Sequence, residues 1–201
     1  VANNSTIKSS LVATNTVLST ISDRISDIRG TSSMDFIPWG GEYSGLSSGD
    51  YMQDYALWIK VMGSKATQSK VKDYDGYETS TYGLVAGVDK TLRDGTTIGV
   101  ALSNADTKID QTDFRAGDSS STKSIQLSTY ASSELGDGYI DGVISYAKHS
   151  TDGTRTANSG KLTSSVDADQ LAAKVETGYR IYLEDAAVLT PFASFEFGTL
   201  N

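Results

Sequence analysis

Few side chains in this sequence are suited to covalent chemistry. His149 is the only histidine and cysteine is absent. A serine–histidine–aspartate relay would therefore have to use that one imidazole, and no thiolate is available. His149 falls at the outer end of an alternating segment, where it reads as a solvated residue close to a loop. One imidazole without thiolates cannot supply a zinc-type ligand set. Asp73, Asp75, Asp110, Asp113 and Asp118 could bind calcium weakly, but they lack the ordered spacing of a calcium loop. The glycines stand at turns and on strand faces, not in a phosphate-cradling run that opens a helix. No catalytic residue, metal site, cofactor or small-molecule substrate is expected.

The remaining chemistry is ionic, and it is patterned. The stretch DQLAAKVETGYRIYL (169–183) divides two by two. Leu171, Ala173, Val175, Thr177, Tyr179 and Ile181 form one set; Gln170, Ala172, Lys174, Glu176, Gly178 and Arg180 form the other. Strict alternation over this length gives a β-strand with one oily face and one charged face. The same split recurs elsewhere. Leu57 and Ile59 oppose Trp58 and Lys60; Leu84 and Val88 oppose Gly83 and Asp89; Ile98 and Val100 oppose Thr97 and Gly99. Near the end, Phe195 and Phe197 oppose Glu196.

Among the elements that carry these faces, the first thirty residues differ from the rest. Ile7, Leu11, Thr14, Leu18, Ile21, Ile25 and Ile28 recur at four and three, a narrow helical stripe ended by Gly30 with Arg29 in the last turn. Ser, Thr and Asn crowd its other faces, so the helix needs something to lean on, in a coiled-coil stalk or against another element. Residues 31–54 read as a connector, because Gly, Ser and Pro-Trp-Gly-Gly break every period. From Tyr55 the pattern predicts seven strands, about 55–69, 80–92, 96–109, 123–135, 139–150, 166–183 and 187–199. Short turns (93–96, 136–138, 184–186) alternate with long polar loops (69–78, 110–122, 150–165). DGTTIGV (94–100) and DGYIDGV (137–143) share a hairpin pattern in which Asp-Gly makes the corner and the later Gly leaves room on a crowded face.

Composition narrows the class. The net charge of −8 disfavours a nucleic-acid partner. Hydrophobic residues make up 38%, too many and too regular for disorder. No apolar run approaches the ~20 residues of a membrane helix, yet a barrel strand needs only ~10 alternating residues. Three architectures fit: a soluble two-sheet sandwich, an oily-inside calyx, and a membrane barrel with a watery interior. Long strands and alternating loop lengths favour the barrel. A helix from Ile7 to Ile28 would be ~33 Å long, comparable with the height of such a barrel.

The order of helix, YALWIKVMG, STYGLVAGVDKTLRDGTTIGVALS, SIQLSTYASSELGDGYIDGVISY and LTPFASFEF resembles the β-domain of autotransporters, the type V secretion proteins, and is similar to rickettsial surface antigens of that family. Tyr82, Gly83, Gly87 and Asp89 carry one matching pattern. The resemblance covers most of residues 15–201. It implies an all-β, transmembrane, antiparallel up-and-down barrel, twelve-stranded in the family, with an N-terminal helix in the lumen. Residues 1–30 would be the passenger tail and pore helix, 31–54 the connector and 55–201 a partial barrel translocator. The implied function is outer-membrane export or anchoring of a covalently linked N-terminal passenger. The implied partners are outer-membrane lipid and the barrel-assembly machinery, with no nucleic acid. Arg24, Asp27 and Arg29 of the helix would face Lys60, Asp89, Asp141, Lys174, Glu176, Arg180 and Glu196 in the lumen. Leu57, Ile59, Leu84, Val88, Ile98, Val100, Leu171, Val175, Tyr179 and Ile181 would face lipid. The rival reading is a soluble β-rich adhesin-like module that binds through the three long loops.

Two departures from the family follow. Its barrel has twelve strands and a terminal aromatic residue, whereas seven strands and Asn201 stand here, so a truncated piece is expected. Some relatives cut their own helix at an Asn-Asn pair. Aligning DRISDIRG (23–30) places Ser19 and Thr20 there, and Asn3-Asn4 lies upstream, so self-cleavage is not expected.

Overall fold

The computed structural model describes residues 2–30, 55–70, 76–112, 118–157, 160–183 and 187–201. The connector 31–54 and the turn 184–186 lie outside the described residues, as do Asp73, Asp75 and Asp113. Among the described residues one helix, α1 (Ala2–Gly30), precedes nine strands: β1 (Tyr55–Gln68), β2 (Tyr77–Thr91), β3 (Thr97–Gln111), β4 (Ser119–Leu135), β5 (Gly138–Ala157), β6 (Gly160–Tyr179), β7 (Ile181–Leu183), β8 (Ala187–Leu189) and β9 (Phe192–Leu200). Seven of them form one sheet in the order β1-β2-β3-β4-β5-β6-β9, antiparallel throughout. Among the described residues β7 and β8 pair only with each other. β1 and β9 are the two edges, so the sheet is open.

α1 packs against β1, β2, β3, β4, β5 and β6 alike. Six strands spaced ~4.8 Å apart span about twice the width of a helix. They all reach one helix only if the sheet is strongly concave. Its concave face buries Trp58, Met62, Val85, Ala101, Ala105, Tyr130, Val143 and Ala172 around Ala13, Val17, Leu18, Ile21 and Ile25. Its convex face exposes the opposite set of side chains.

β2 to β6 are longer than the alternation predicts, whereas the expected last strand, 187–199, is broken at Thr190 and Pro191 into β8 and β9. β5 and β6 stay paired as far as Ala157 opposite Gly160, so nearly all of the supposed loop 150–165 is strand. The link between β3 and β4 shrinks to 112–118. These extensions are rich in Ser, Thr and Gly with both faces polar, so oily alternation gives no sign of them. At the other end, β6 stops at Tyr179 instead of running to 183. The Arg180 amide turns aside to donate to the Asp137 carbonyl at 2.8 Å.

The two turn repeats also differ from each other. In the first, Gly95 has φ +83°, and its amide donates to the Leu92 carbonyl at 3.0 Å. In the second, the left-handed corner is Gly136 (φ +63°), while Gly138 already pairs with Leu135. Gly99 lies directly opposite Tyr130, whose ring fills the space a Cβ would take. Gly142 has open space beside it, so the expected crowding holds only at Gly99.

The helical stripe is corrected at its start. Thr14, Leu18, Ile21 and Ile25 are buried, but Ile7 and Leu11 are exposed. A straight helix drifts ~20° per heptad against a 3.5-residue repeat, and the buried face at this end passes through Ser9, Ser10 and Ala13.

Candidate functional site

The densest polar chemistry lies where α1 meets the concave face. It changes character along the helix axis. The N-terminal half of α1 sits near the loop end of the sheet, and the C-terminal half near the turns 92–96 and 136–137.

The loop end is a wall of hydroxyls. Ser9 Oγ and Thr122 Oγ1 are 2.6 Å apart, and Thr122 continues to Thr151 Oγ1 at 2.8 Å. Thr81 and Thr107 bond across β2 and β3 at 3.0 Å. One step along the helix, Thr14 donates to Gln170 Oε1 at 2.8 Å. The same oxygen is 3.0 Å from His149 Nε2, and His149 Nδ1 is 2.7 Å from Ser124 Oγ. An amide oxygen only accepts, so Nε2 carries the proton and the Ser124 hydroxyl donates to Nδ1. Among the described residues, the Ser10, Thr79 and Ser120 hydroxyls are buried at this end without a hydrogen-bond partner.

The turn end is ionic and aromatic. Arg24 holds Asp89 with two nitrogens, at 3.0 and 3.2 Å. Tyr130 donates its hydroxyl to Asp89 at 2.9 Å, and Trp58 donates its indole N–H to Tyr130 at 2.8 Å. Arg29 pairs with Asp141, which also accepts from Ser132 at 2.7 Å. The Arg29 guanidinium lies 3.5 Å from the Tyr139 ring centroid, and Arg24 lies 5.9 Å from that of Trp58. Each ring stands over a glycine directly across the sheet, Trp58 over Gly87 and Tyr139 over Gly178. A Cβ at Gly87 would meet Trp58 at 2.6 Å, closer than any ordinary contact. Each arginine is thus held by a carboxylate and an aromatic face, an arrangement stronger than either contact alone.

The remaining charges are placed as follows. Lys60 pairs with Asp27 at 2.6 Å. Lys174 donates to Ser22 at 2.9 Å and lies 3.6 Å from Glu176, which accepts from Tyr139 at 3.1 Å. With its amide nitrogen toward β9, Asn15 donates to Glu196 at 2.6 Å. Arg180 is different: its ion pair is with Glu134 at 2.6 Å, beside the β4–β5 turn. It takes no part in the helix contacts described, because the chain leaves the β6 ladder at that residue. On the convex face, Leu57, Ile59, Leu84, Ile98, Val100, Leu171, Val175 and Tyr179 are between 46% and 54% exposed, and Val88 is partly exposed; Ile181, 40% exposed, lies instead in the separate β7–β8 hairpin.

This arrangement clamps the helix against the concave face. Among the described residues no group of three His, Cys, Asp or Glu could hold a metal ion. No helix is long and apolar enough to cross a membrane, which leaves crossing by strands open.

The autotransporter β-domain family model matches residues 57–201. The chain belongs to that family. As an autotransporter β-domain it is an outer-membrane translocator domain placed at the cell surface. It is 31% identical over 119 residues to outer membrane protein B of Rickettsia typhi, covering 57% of this chain and 7% of that protein. It is 28% identical over 179 residues to outer membrane protein A of Rickettsia conorii, covering 80% of this chain and 9% of that protein. The chain thus spans less than a tenth of these relatives. The crystal structure of the β-domain of the Bordetella autotransporter BrkA superposes with a TM-score of 0.58 at 20% identity, over 74% of this chain and 60% of that one, a likeness of fold.

Several residues of this autotransporter β-domain's helix contact escape a reading of the sequence. His149 is the plainest correction: it is 2% exposed on the concave face, bonded to Ser124 and Gln170, and not solvated. Strand parity could have found it, since His149 shares the parity of Asp141, Val143 and Ser145. Gln170, Tyr130 and Tyr139 were likewise hidden, because a polar or aromatic residue on an inward face has no partner visible in one dimension.

Proposed function

We propose that β1–β6 and β9 are part of the wall of a closed outer-membrane barrel, twelve-stranded as in the family, with α1 inside it as the tail of an N-terminal passenger. The division into 1–30, 31–54 and 55–201 belongs to this reading. So do the lipid-facing role of the convex oily residues and the lumenal role of Lys60, Asp89, Asp141, Lys174, Glu176 and Glu196. Closure would need strands in addition to these seven, placed between the β1 and β9 edges. An open sheet with two free edges invites pairing with other chains. The domain would export or anchor its passenger after insertion by the barrel-assembly machinery.

One observation carries the reading. A single sheet presents oily side chains on its exposed convex face, while its concave face meets a helix with ion pairs and hydroxyls. A soluble protein would reverse this order, burying the oily face. In lipid the convex face loses nothing, and once the β1 and β9 edges are paired in a closed barrel every strand's backbone groups would be satisfied within the ladders.

The absence of cysteine permits a direct test. Single replacements Val100→Cys and Leu102→Cys on the convex face, and Ser103→Cys on the concave face, would be labelled in intact outer membranes. A lipid-soluble maleimide should react at positions 100 and 102, whereas a water-soluble one should not. The opposite pattern would overturn the proposal. Appearance of an N-terminally fused epitope at the cell surface would test export.

A further inference from the structure

The chain's only histidine stands in the neutral half of the helix contact. His149 lies on β5, an interior strand flanked by β4 and β6, and α1 packs on all three. Strands that complete a barrel beyond β1 or β9 would add nothing beside it. Ser124 is directly opposite on β4, and Gln170 is two residues from Ala168, the partner of His149 on β6. None of Thr14, Ser124, His149 and Gln170 is more than 3% exposed, so water does not solvate the ring.

The hydrogen bonds suit a neutral ring. Nε2 donates to Gln170 Oε1, the oxygen that also receives the Thr14 hydroxyl of the helix, and Nδ1 accepts from Ser124. A proton added at Nδ1 makes both nitrogens donors. Ser124 must then give up its donor role, and a buried cation is left that needs a carboxylate or water beside it. The buried neighbours are all neutral: Ser10, Ala13, Val17 and Leu18 around Thr14, Thr122 and Gln126 on β4, Ala147 and Thr151 on β5, and Ala172 on β6. The nearest charged groups on these strands, Lys123, Lys148, Asp167 and Asp169, stand exposed on the convex face. Asp169 lies across from Lys148 and accepts the Tyr146 hydroxyl at 2.9 Å. Lys8 of the helix is turned to the Tyr77 ring of β2, 4.6 Å from its centroid.

We infer that the His149–Gln170–Thr14 contact is a pH-sensitive catch on the loop-end half of α1: neutral His149 seats the helix, and a proton taken from water releases it. When this end opens, the ring meets water, where an imidazole takes up a proton near ~6.5. The open form binds the additional proton, so the seat is whole above that pH and loosens as pH falls below it. The turn end contains no imidazole and does not share the response. The catch goes beyond the translocator reading and needs only the helix contact. Within that reading, an acidified exterior loosens the passenger tail while Arg24 and Arg29 keep it anchored.

The test follows hydrogen exchange of the folded full chain at about pH 7.5 and about pH 5, on either side of the imidazole range. Protection of residues 9–16 is expressed relative to residues 18–28, which cancels the intrinsic effect of pH on exchange. Between these conditions the relative protection should fall about 10- to 30-fold, the second figure being the protonated-to-neutral ratio of a free imidazole at about pH 5. His149→Gln keeps a donor and an acceptor but cannot be charged, and it should show no such fall. His149→Lys, charged throughout, should show the low value under both conditions; if it does not fold, the native chain and His149→Gln decide. An equal fall in His149→Gln, or an unchanged ratio in the native chain, would overturn the catch. Failure of the Val100→Cys and Leu102→Cys labelling would overturn the membrane reading and leave this result standing.

Discussion

The two halves of the helix contact are built from different materials. Around Arg24 and Arg29 the sheet offers carboxylates already oriented by Tyr130 and Ser132, with aromatic rings against the guanidinium groups. Around Ser9 and Thr14 it offers neutral hydroxyls, one imidazole and one amide, and three hydroxyls there are buried without partners among the described residues. Charge-assisted bonds are about twice as strong as neutral ones, and an orphaned buried hydroxyl costs ~1–3 kcal/mol. The contrast makes the turn end the anchor and the loop end the looser seat. A chain emerging toward the loops would thus be held from behind.

The largest break in this contrast should come from Asp89→Ala. It leaves Arg24 and the Tyr130 hydroxyl without their acceptor, and a broken buried pair costs about 3–5 kcal/mol; the urea midpoint of the folded domain should fall accordingly. Asp89→Asn, which keeps an acceptor, should recover part of that loss. Ile21→Ala, emptying a fully buried site between the two halves, should cost about 2–4 kcal/mol in the same measurement. At the loop end, Thr14→Val removes one neutral bond to Gln170 and should cost only about 1 kcal/mol. Hydrogen exchange would sharpen the point, with amides of residues 9–16 exchanging faster than those of 18–28. The smallest effect is expected for Lys60→Ala, below about 1 kcal/mol, because Asp27 is 48% exposed. Separately, pore conductance in planar bilayers should rise for Lys174→Ala, which frees Ser22 of the helix. Arg180→Ala should leave it unchanged, since Arg180 is engaged with Glu134.

Much of this was legible in one dimension. Residues two apart share a strand face whatever the strand packs against, so the partition of Leu171 and Val175 from Lys174 and Glu176 needed only period 2. Positions of strands were legible where one face is oily. They were not legible along 150–165, where both faces are polar and no alternation marks the ladder. His149 was misplaced for a related reason: its neighbourhood in sequence is Lys148 and Ser150, whereas its neighbours in space are Ser124 and Gln170. Arg180 shows the converse, with the right parity for the concave face but a chain that leaves the ladder just there.

By itself the sequence determined the leading helix, the antiparallel strands that follow, and which side chains share a face, because helix and strand periods are properties of the local backbone. Only the tertiary structure decided which carboxylate receives which arginine, and that the helix is bound by charge at one end and by hydroxyls at the other. Those choices depend on strand register and on the sheet's curvature around α1, and both are set by contacts between residues far apart in the chain.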